Sequence, residues 1–330
     1  MNAPLNFHSF IGNRRVVEIL RRAIEQERLP HALIFAGPPG VGKRTLAELL
    51  AQRLNCLQPK NQEARCACTS CRKIMAGTHP DVRLVQPEGA YIKIDQVRAL
   101  IAEIAYQPFE GRYRVLILDG ADQMRQEAAN CLLKTLEEPP SKSILILVSA
   151  RPYLLLGTIR SRARMLQLGP IAGDVIENYL VVHEGRSPED ARMAVVLSNG
   201  SLGAALAFDA DRNREIRQTA LRFVSLLLRR GKFAQASALA AGIAKDKDTF
   251  QAWVELTDTL LQDVYYAQMA PARMSQPDIA GELAGLAQST SHAAVVAAIE
   301  AVKQLKAALQ QNANRQLALE ALFLAETART

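Results

Sequence analysis

The fold is decided by one stretch near the N-terminus, which reads Ala32-Leu33-Ile34-Phe35-Ala36-Gly37-Pro38-Pro39-Gly40-Val41-Gly42-Lys43-Arg44-Thr45. Its first five residues are a short apolar run, which predicts a buried strand, and helical periodicity follows the last glycine. The segment between them has the glycine spacing of a phosphate-binding loop. In such a loop, backbone N–H groups turn toward phosphate oxygens, the helix N-terminus adds partial positive charge, and the lysine reaches the outer phosphates. We therefore predict that residues 37–43 bind the phosphates of a nucleotide.

The residue after this lysine departs from the pattern. A phosphate-binding loop has Ser or Thr there, because that hydroxyl ligates Mg²⁺. This chain has Arg44 instead, and Thr45 comes one residue late. One residue on a helix is about 100° of rotation, so Thr45 does not simply take over. We expect compromised Mg²⁺ coordination, while binding of ATP or ADP by residues 37–45 stays open.

Three further apolar runs indicate that the first half of the chain contains a sheet. They are rich in Val, Ile and Leu, and they span residues 81–86, 114–118 and 143–149. Helical periodicity lies between them. Because alternating strands and helices build a parallel sheet covered on both faces, the predicted fold class is α/β.

The second half of the chain has no strand signals beyond about Pro170. Residues 170–209 predict a small helical unit, with a turn at Asn199-Gly200, and residues 210–330 are Ala- and Leu-rich with amphipathic helical spacing. We therefore expect three domains, at residues 1–169, 170–209 and 210–330.

An acidic residue ends the third predicted strand. Asp119 follows the apolar residues 115–118 and is suited to support Mg²⁺ through its hydration shell. An ATPase of this type places glutamate next, to polarise the attacking water, whereas this chain has Gly120. Asp122 could act instead only if the turn were unusual. The sequence therefore predicts a nucleotide site without its hydrolytic group.

Four of the five cysteines are clustered: Cys56, Cys66, Cys68 and Cys71. An odd count, clustered, without a secretion signal, favours metal ligation over disulfides. Four thiolates are the number that a closed, structural Zn²⁺ site needs. The gap in Cys66-Ala67-Cys68 is tighter than usual, so free or redox-active cysteines are the alternative. Cys131 lies in helical periodicity and is interpreted as a small core residue.

Charge and hydropathy restrict the class of protein. The net charge is +7, which is compatible with polyanion contact without requiring it. No apolar run approaches the roughly 18 to 20 residues of a membrane span, and Met1 to Phe10 lack the pattern of a signal peptide. We expect a cytoplasmic protein.

Several segments carry a family resemblance: Leu29-Pro30-His31-Ala32, residues 37–43, Ala128-Ala129-Asn130-Cys131-Leu132-Leu133-Lys134-Thr135-Leu136-Glu137-Glu138-Pro139-Pro140, Thr158-Ile159-Arg160-Ser161-Arg162 and Leu317-Ala318-Leu319-Glu320-Ala321-Leu322. Together they are similar to bacterial clamp-loader subunits of the AAA+ class, and most of all to the delta-prime type of DNA polymerase III. The resemblance covers essentially the whole chain. It implies an AAA+ P-loop domain with a zinc module inserted at about residues 55–72, then a helical lid and an all-α collar domain.

The resemblance also assigns roles to single residues. The family's trans-acting arginine finger falls on Arg162, although Ala163 stands where cysteine is usual. The sensor residue after the fourth strand falls on Ser149. The lid arginine is missing, because Gly203 follows Gly200-Ser201-Leu202 where active subunits have arginine.

Three residues of the chain's own site depart from the pattern of active subunits: Arg44, Gly120 and Gly203. The arginine that would act in a neighbour's site, Arg162, is retained. This combination indicates a subunit that completes the active site of its neighbour. The resemblance implies a hetero-pentamer with gamma/tau motor subunits and a delta subunit, which places the sliding clamp on primer-template DNA as part of the polymerase III holoenzyme. No ATPase activity is expected of the chain alone. Two alternatives stay open: an active gamma/tau-type motor subunit, and a zinc-dependent DNA-binding protein with a vestigial P-loop.

Overall fold

The computed structural model describes residues 10–58, 66, 68–229, 231–276, 279–310 and 313–328. The chain forms two compact units, Met1–Ala207 and Phe208–Thr330. The first contains the phosphate loop, and the second is built from helices. The predicted division into three domains stays a prediction. Residues 59–65 and 67 of the predicted zinc module lie outside the described residues.

A parallel sheet of five strands forms the centre of the first unit. The strands are β1 (Ala32–Ala36), β2 (Val82–Val85), β3 (Arg114–Asp119), β4 (Ser143–Ser149) and β5 (Arg164–Gln167). Their order is β2-β3-β4-β1-β5, and every neighbouring pair is parallel. The central strands β1 and β4 are buried along their whole length, as expected where helices cover both faces. The predicted α/β fold class is confirmed.

The strand β5 is absent from the sequence-based prediction. It lies at an edge of the sheet, beside β1, and of its four residues only Leu166 is buried. An edge strand needs one apolar face at most, and charged residues on it are favourable. Its sequence therefore contains no apolar run that would indicate a strand.

Helices cover both faces of this sheet. They are α1 (Arg14–Glu25), α2 (Lys43–Asn55), α3 (Thr69–Met75), α4 (Ile94–Ile104), α5 (Gln126–Glu137) and α6 (Gly157–Arg160). Leu33 and Phe35 of β1 pack in one core layer with residues of α1 and α2. The alternate residue Ile34 packs in the other layer with residues of α4 and α5. The period of two along each strand thus gives the sheet two apolar faces.

Three short helices complete the first unit. They are α7 (Gly173–Glu184), α8 (Pro188–Ser198) and α9 (Leu202–Leu206). The predicted turn separates α8 from α9, and both Asn199 and Gly200 adopt positive φ there, at 48° and 78°. Ser201 begins α9, because its hydroxyl accepts a hydrogen bond from the Ala204 N–H at 3.1 Å.

The described residues of the second unit form helices and the loops between them, without a strand. Its helices are α10 (Ala210–Leu228), α11 (Phe233–Ile243), α12 (Lys247–Met269), α13 (Ala280–Ser289), α14 (His292–Gln310) and α15 (Arg315–Ala328). Phe223, Trp253 and Phe323 are fully buried and form its aromatic centre, with the Phe223 and Trp253 rings 4.9 Å apart. Among the described residues of both units, no helix is long and apolar enough to cross a bilayer.

A buried carboxylate fixes the start of the sheet. Asp81 is fully buried and accepts hydrogen bonds from the N–H groups of Phe109, Glu110 and Gly111 at 2.7, 2.8 and 2.7 Å. The Arg114 guanidinium donates to it at 2.9 Å. Burial acts to raise the pKa of Asp81, but these hydrogen bonds outweigh it and hold the pKa below its ordinary value. Asp81 thereby connects the chain before β2 to the loop that enters β3.

We predict that Asp81→Ala lowers the free energy of unfolding at pH 7 by about 3 to 5 kcal/mol, because it leaves the Arg114 charge without its partner. A lowered folded-state pKa stabilises above the unfolded value of about 3.9, and this contribution is lost as pH falls through the folded pKa. Urea unfolding across acidic pH should therefore show a smaller loss of stability in Asp81→Asn than in the wild type. The control is Asp95→Asn, at a carboxylate that is 86% exposed. Equal pH dependence of Asp81→Asn and wild type would contradict the prediction.

Candidate functional site

The phosphate loop lies between β1 and α2, as the sequence predicts. Ala36 of β1 is paired with Ser149 of β4, and Val148 with Asp119 of β3, so these three strands end at the same edge of the sheet. Ligands of open α/β sheets bind at this edge. Gly42 precedes α2 with φ at 89°, a left-handed conformation that glycine adopts without strain. The loop can therefore turn sharply and still begin a helix at Lys43.

Lys43 holds the loop together from inside. Its side chain is only 8% exposed, and Nζ donates to the carbonyl oxygens of Gly37 at 2.7 Å and Pro38 at 2.6 Å. Burial lowers the pKa of Lys43, and the charges of Asp119 and Asp122 oppose that effect. An ammonium group has three donors, so the two bonds to the loop leave one donor for a phosphate oxygen.

A guanidinium group, rather than a hydroxyl, lies beside the acidic residue of the site. Arg44 Nη1 is 3.9 Å from Asp119 Oδ2, and Arg44 Nε donates to Glu48 Oε1 at 2.8 Å. Gln86 Nε2 donates to the same Asp119 oxygen at 3.2 Å. A Mg²⁺ ion at Asp119 would have to share this carboxylate with an arginine cation. The residues of the loop therefore do not fit Mg²⁺ in the usual way, although Thr45 also lines the cavity described below.

The turn after β3 has Gly120 where an ATPase of this type has a glutamate. Gly120 has φ of 82°, and an added Cβ would lie 3.1 Å from Pro87 Cγ. Asp122 is 3% exposed and accepts hydrogen bonds from the Ala150 N–H at 3.1 Å and Arg151 Nε at 3.2 Å. Burial acts to raise the pKa of Asp122, but hydrogen bonds, from Ser149 first and then Arg151, outweigh it and lower the pKa. Asp122 thus anchors the end of β4.

Ser149 is the last residue of β4 and is fully buried. Its hydroxyl accepts a hydrogen bond from the Arg151 N–H at 3.1 Å and also bonds to Asp122. The backbone carbonyl of Ser149 accepts from the Gly37 N–H at 3.3 Å, so this residue touches the start of the loop. Its assignment as a sensor stays a prediction.

Helix α9 lies directly against the phosphate loop. The Gly203 N–H donates to the Gly40 carbonyl at 2.9 Å, and an added Cβ at Gly203 would lie 3.1 Å from Gly40 Cα. An added Cβ at Gly40 would collide with Ser201 Oγ. Sequence reasoning identified Gly203 only as the loss of an arginine. In the structure the glycine permits a backbone contact that a larger residue would obstruct.

These elements enclose a cavity of about 770 Å³, a size typical of small-molecule sites. Its lining includes Gly40, Lys43, Arg44 and Asp119 from the predicted site. It also includes residues that sequence reasoning missed, namely Ile74 and Met75 of α3 and Tyr179, Leu202 and Leu206 of the helices after the sheet. No motif signals these, because only the tertiary fold brings them to the loop.

Arg162 follows α6 and lies outside this cavity, whose described lining does not include it. Its side chain is 37% exposed and forms an ion pair with Glu137 at the end of α5, at 2.7 Å. The same guanidinium donates to the Thr158 carbonyl at 3.1 Å and to Ser161 Oγ at 3.2 Å. Three local acceptors therefore hold Arg162 in a defined position at the surface, away from the chain's own phosphate loop.

The four clustered cysteines meet in space. Their sulfur atoms lie within 4.8 Å of one another, and in the described residues none is in a disulfide. In a tetrahedral zinc site with Zn–S bonds of about 2.3 Å, sulfur atoms lie about 3.8 Å apart, so a small contraction would accommodate the ion. Cys56 follows α2, and Cys68 and Cys71 lie at the start of α3.

The thiols of this cluster are strongly inequivalent. Burial raises the pKa of Cys71. Burial also acts on Cys68, but the N–H groups of Cys71 and Leu57 outweigh it and lower the pKa of Cys68 to about 7. Soft thiolate donors in a set of four fit Zn²⁺. Such an ion would be structural, since four protein ligands leave no open position for a reactant.

The strand order, the phosphate loop after β1 and the acidic residue that ends β3 define the first unit as a P-loop domain of the AAA+ type. Residues 12–172 match the family model described as DNA polymerase III, delta subunit, and residues 213–327 match that described as DNA polymerase III, delta subunit, C terminal. The chain is 30% identical over 298 residues to DNA polymerase III subunit delta' of Escherichia coli (strain K12), covering 89% of this chain and 88% of that protein. The chain belongs to the family of DNA polymerase III delta' subunits.

Two further similarities have a narrower scope. The delta' subunit of Bacillus subtilis (strain 168) is 37% identical over 212 residues, a match that covers 64% of this chain and 63% of that protein, and so less than two thirds of its length. A solved structure of a gamma subunit-related protein from Thermotoga maritima matches with a TM-score of 0.46 and 18% identity, over 94% of this chain and 98% of that one.

We predict that Cys71→Ser lowers the zinc content of the purified protein well below one ion per chain, because it removes one of the four thiolates. The melting temperature should fall as well, since metal binding stabilises the folded state. Elemental analysis and thermal unfolding measure the two effects. Cys131→Ser, at the remaining cysteine on α5, is the matched control and should keep its zinc. Wild-type protein that binds no zinc after refolding with ZnCl₂ would contradict the assignment.

We predict that Gly120→Glu does not create an ATPase and lowers the free energy of unfolding by more than about 1 to 2 kcal/mol, the usual cost of a left-handed residue. The excess arises from contact with Pro87. Gly89→Glu is the control, because Gly89 has φ of 76° but open space around it, so it carries the backbone cost alone. Urea unfolding compares the two. A stable Gly120→Glu variant that hydrolyses ATP would contradict the account of this turn.

Proposed function

We propose that the chain is an ATPase-silent, delta-prime-type subunit of the DNA polymerase III clamp loader, which supplies Arg162 to a neighbouring motor subunit. Its partners are gamma/tau motor subunits and a delta subunit in a hetero-pentamer. The complex loads the sliding clamp onto primer-template DNA. The residues after about 210 form the collar through which the subunits join, and residues 170–209 form the lid.

The position of Arg162 is the observation that carries this proposal. An arginine finger stabilises the charge that develops on a transferring phosphoryl group, and a partner protein can supply it in trans. Arg162 is partly exposed, is held by Glu137, Thr158 and Ser161, and lies outside the lining of its own cavity. A long side chain that is already ordered loses less conformational freedom when it engages a partner.

The state of the chain's own site supports the silent assignment over the motor alternative. Arg44 takes the place of the Mg²⁺-binding hydroxyl, Gly120 that of the water-orienting glutamate, and Gly203 that of the lid arginine. Asp122 accepts a hydrogen bond from Ala150 just after β4, and the Gly203 N–H donates to the Gly40 carbonyl. The loop itself keeps the lysine and the glycines that bind phosphate, so we propose that it retains a nucleotide without hydrolysing it.

The role of zinc in this proposal is structural. The cysteine cluster joins the end of α2 to the start of α3, and its four sulfur atoms leave no coordination position for a substrate. The alternative of a zinc-dependent DNA-binding protein assigns no role to the Arg162 guanidinium, which Glu137 and the Thr158 carbonyl hold at the surface.

We predict that Arg162→Ala lowers DNA-stimulated ATP turnover of the reconstituted complex, by about 10³-fold or more at the one site that Arg162 serves. Assembly, followed by size-exclusion chromatography, should be unchanged, because a partly exposed ion pair contributes little to stability. Arg160→Ala is the matched control, since Arg160 is an exposed arginine two residues away. Normal turnover with Arg162→Ala would refute the finger, and vigorous ATPase activity of the isolated chain would favour the motor alternative.

A further inference from the structure

We propose that Arg44 is a built-in cation that replaces Mg²⁺ in this site, so that the loop binds a nucleoside diphosphate or triphosphate without a divalent metal. The inference rests on the proposed retention of nucleotide by the loop and adds how the charge of the phosphates is met. It begins with the second residue of α2, where the ordinary metal-binding hydroxyl is replaced by a guanidinium that lines the cavity.

The surroundings of Arg44 place its charge where the metal would act. Its Nη1 atom is 3.9 Å from Asp119 Oδ2, the carboxylate that ends β3 and that supports the metal in enzymes of this fold. Its Nε atom donates to Glu48 one turn further along α2, at 2.8 Å. The hydrogen bond to Glu48 and the longer ion pair with Asp119 keep the guanidinium beside the loop, in the lining of the cavity.

Arg44 has enough N–H donors to pair with the two carboxylates and also to bind phosphate. A guanidinium has five N–H donors in a planar fork that matches phosphate oxygens, and it stays charged at every physiological pH. Pairing with Glu48 and Asp119 uses part of the fork and leaves N–H groups for the ligand. Lys43, whose two bonds to the loop leave one donor, lies one residue away. Together they offer a terminal phosphate two cations from adjacent positions of one helix.

The charge balance of the cavity gives the proposal a direction. Lys43 and Arg44 contribute two positive charges to the lining, while Glu48 and Asp119 contribute two negative ones, and Asp122 is already paired with Arg151. The guanidinium of Arg44 already balances the negative charge of Asp119, and it would repel an added Mg²⁺. Free nucleotide should therefore bind at least as well as its magnesium complex.

The test is titration of the purified full-length chain with fluorescently labelled ADP, once in EDTA and once in excess MgCl₂. We expect the dissociation constant in EDTA to be equal to or lower than that in MgCl₂. Arg44→Thr, which restores a hydroxyl at the motif position, should weaken binding in EDTA by about tenfold to a hundredfold, the value of a charged hydrogen bond. The same variant should now bind more tightly when Mg²⁺ is present.

Controls separate the role of Arg44 from a general effect of charge or folding. Arg98→Thr removes one positive charge from α4, outside the cavity lining, and should bind ADP as the wild type does. Arg44→Lys keeps the charge but not the planar fork, and its affinity in EDTA should lie between those of wild type and Arg44→Thr. Circular dichroism establishes that each variant is folded, and Arg44→Lys replaces Arg44→Thr if the latter is not.

Each contrary result would refute a specific part of this inference. A wild-type affinity that falls tenfold or more in EDTA shows that the site depends on metal and refutes the inference. Unchanged binding by Arg44→Thr in EDTA refutes the role of Arg44. Absence of ADP binding under both conditions overturns the inference together with the proposed retention of nucleotide, whereas the arginine finger is tested separately by Arg162→Ala in the assembled complex.

Discussion

The buried ammonium group of Lys43, at the end of the phosphate loop, donates to the carbonyl oxygens of the consecutive residues Gly37 and Pro38 at its start. A buried charge is costly unless it is hydrogen-bonded, so the loop can only close around these two acceptors. The left-handed conformation of Gly42 lets α2 begin directly at Lys43. One interaction therefore joins the start of the loop to the start of α2, at the edge of the sheet where Ser149 and Asp119 end their strands.

The same constraint explains how a phosphate loop can persist without hydrolysis. The groups that cleave a phosphoanhydride lie after β3 and at the second residue of α2, and neither takes part in closing the loop. Gly120 and Arg44 can occupy those positions without loss of the lysine contacts. The backbone contact between Gly203 and Gly40 even uses the absence of a lid side chain to pack α9 on the loop. Binding and chemistry thus depend on separate residues, and a chain can keep the first without the second.

How much the sequence could predict follows from how local each signal is. The strands β1, β3 and β4 are apolar runs, which predict buried strands directly, whereas β5 has one buried residue in four and gives no such pattern. The cysteines were identified by their number and clustering despite an irregular spacing, and the structure brings all four sulfur atoms together. The pairing of Arg162 with Glu137, and the approach of Tyr179 and Met75 to the cavity, join residues 25 or more positions apart. Only the folded sheet and its helices determine those contacts.

Helix α2 connects the phosphate loop to the cysteine cluster and fixes the distance between them. Its first residue is Lys43, and its last, Asn55, is followed directly by Cys56 of the cysteine cluster. The Asn55 side chain accepts from the N–H groups of Arg112 and Tyr113, both at 2.9 Å, and donates to the Tyr113 carbonyl at 3.0 Å. Its carbonyl accepts from Ser70 of α3 at 2.8 Å. The far end of the helix is thus anchored to the residues before β3 and to α3, which carries Cys71. A structural ion bound at the cysteine cluster would therefore hold in place the helix that begins with Lys43 and Arg44.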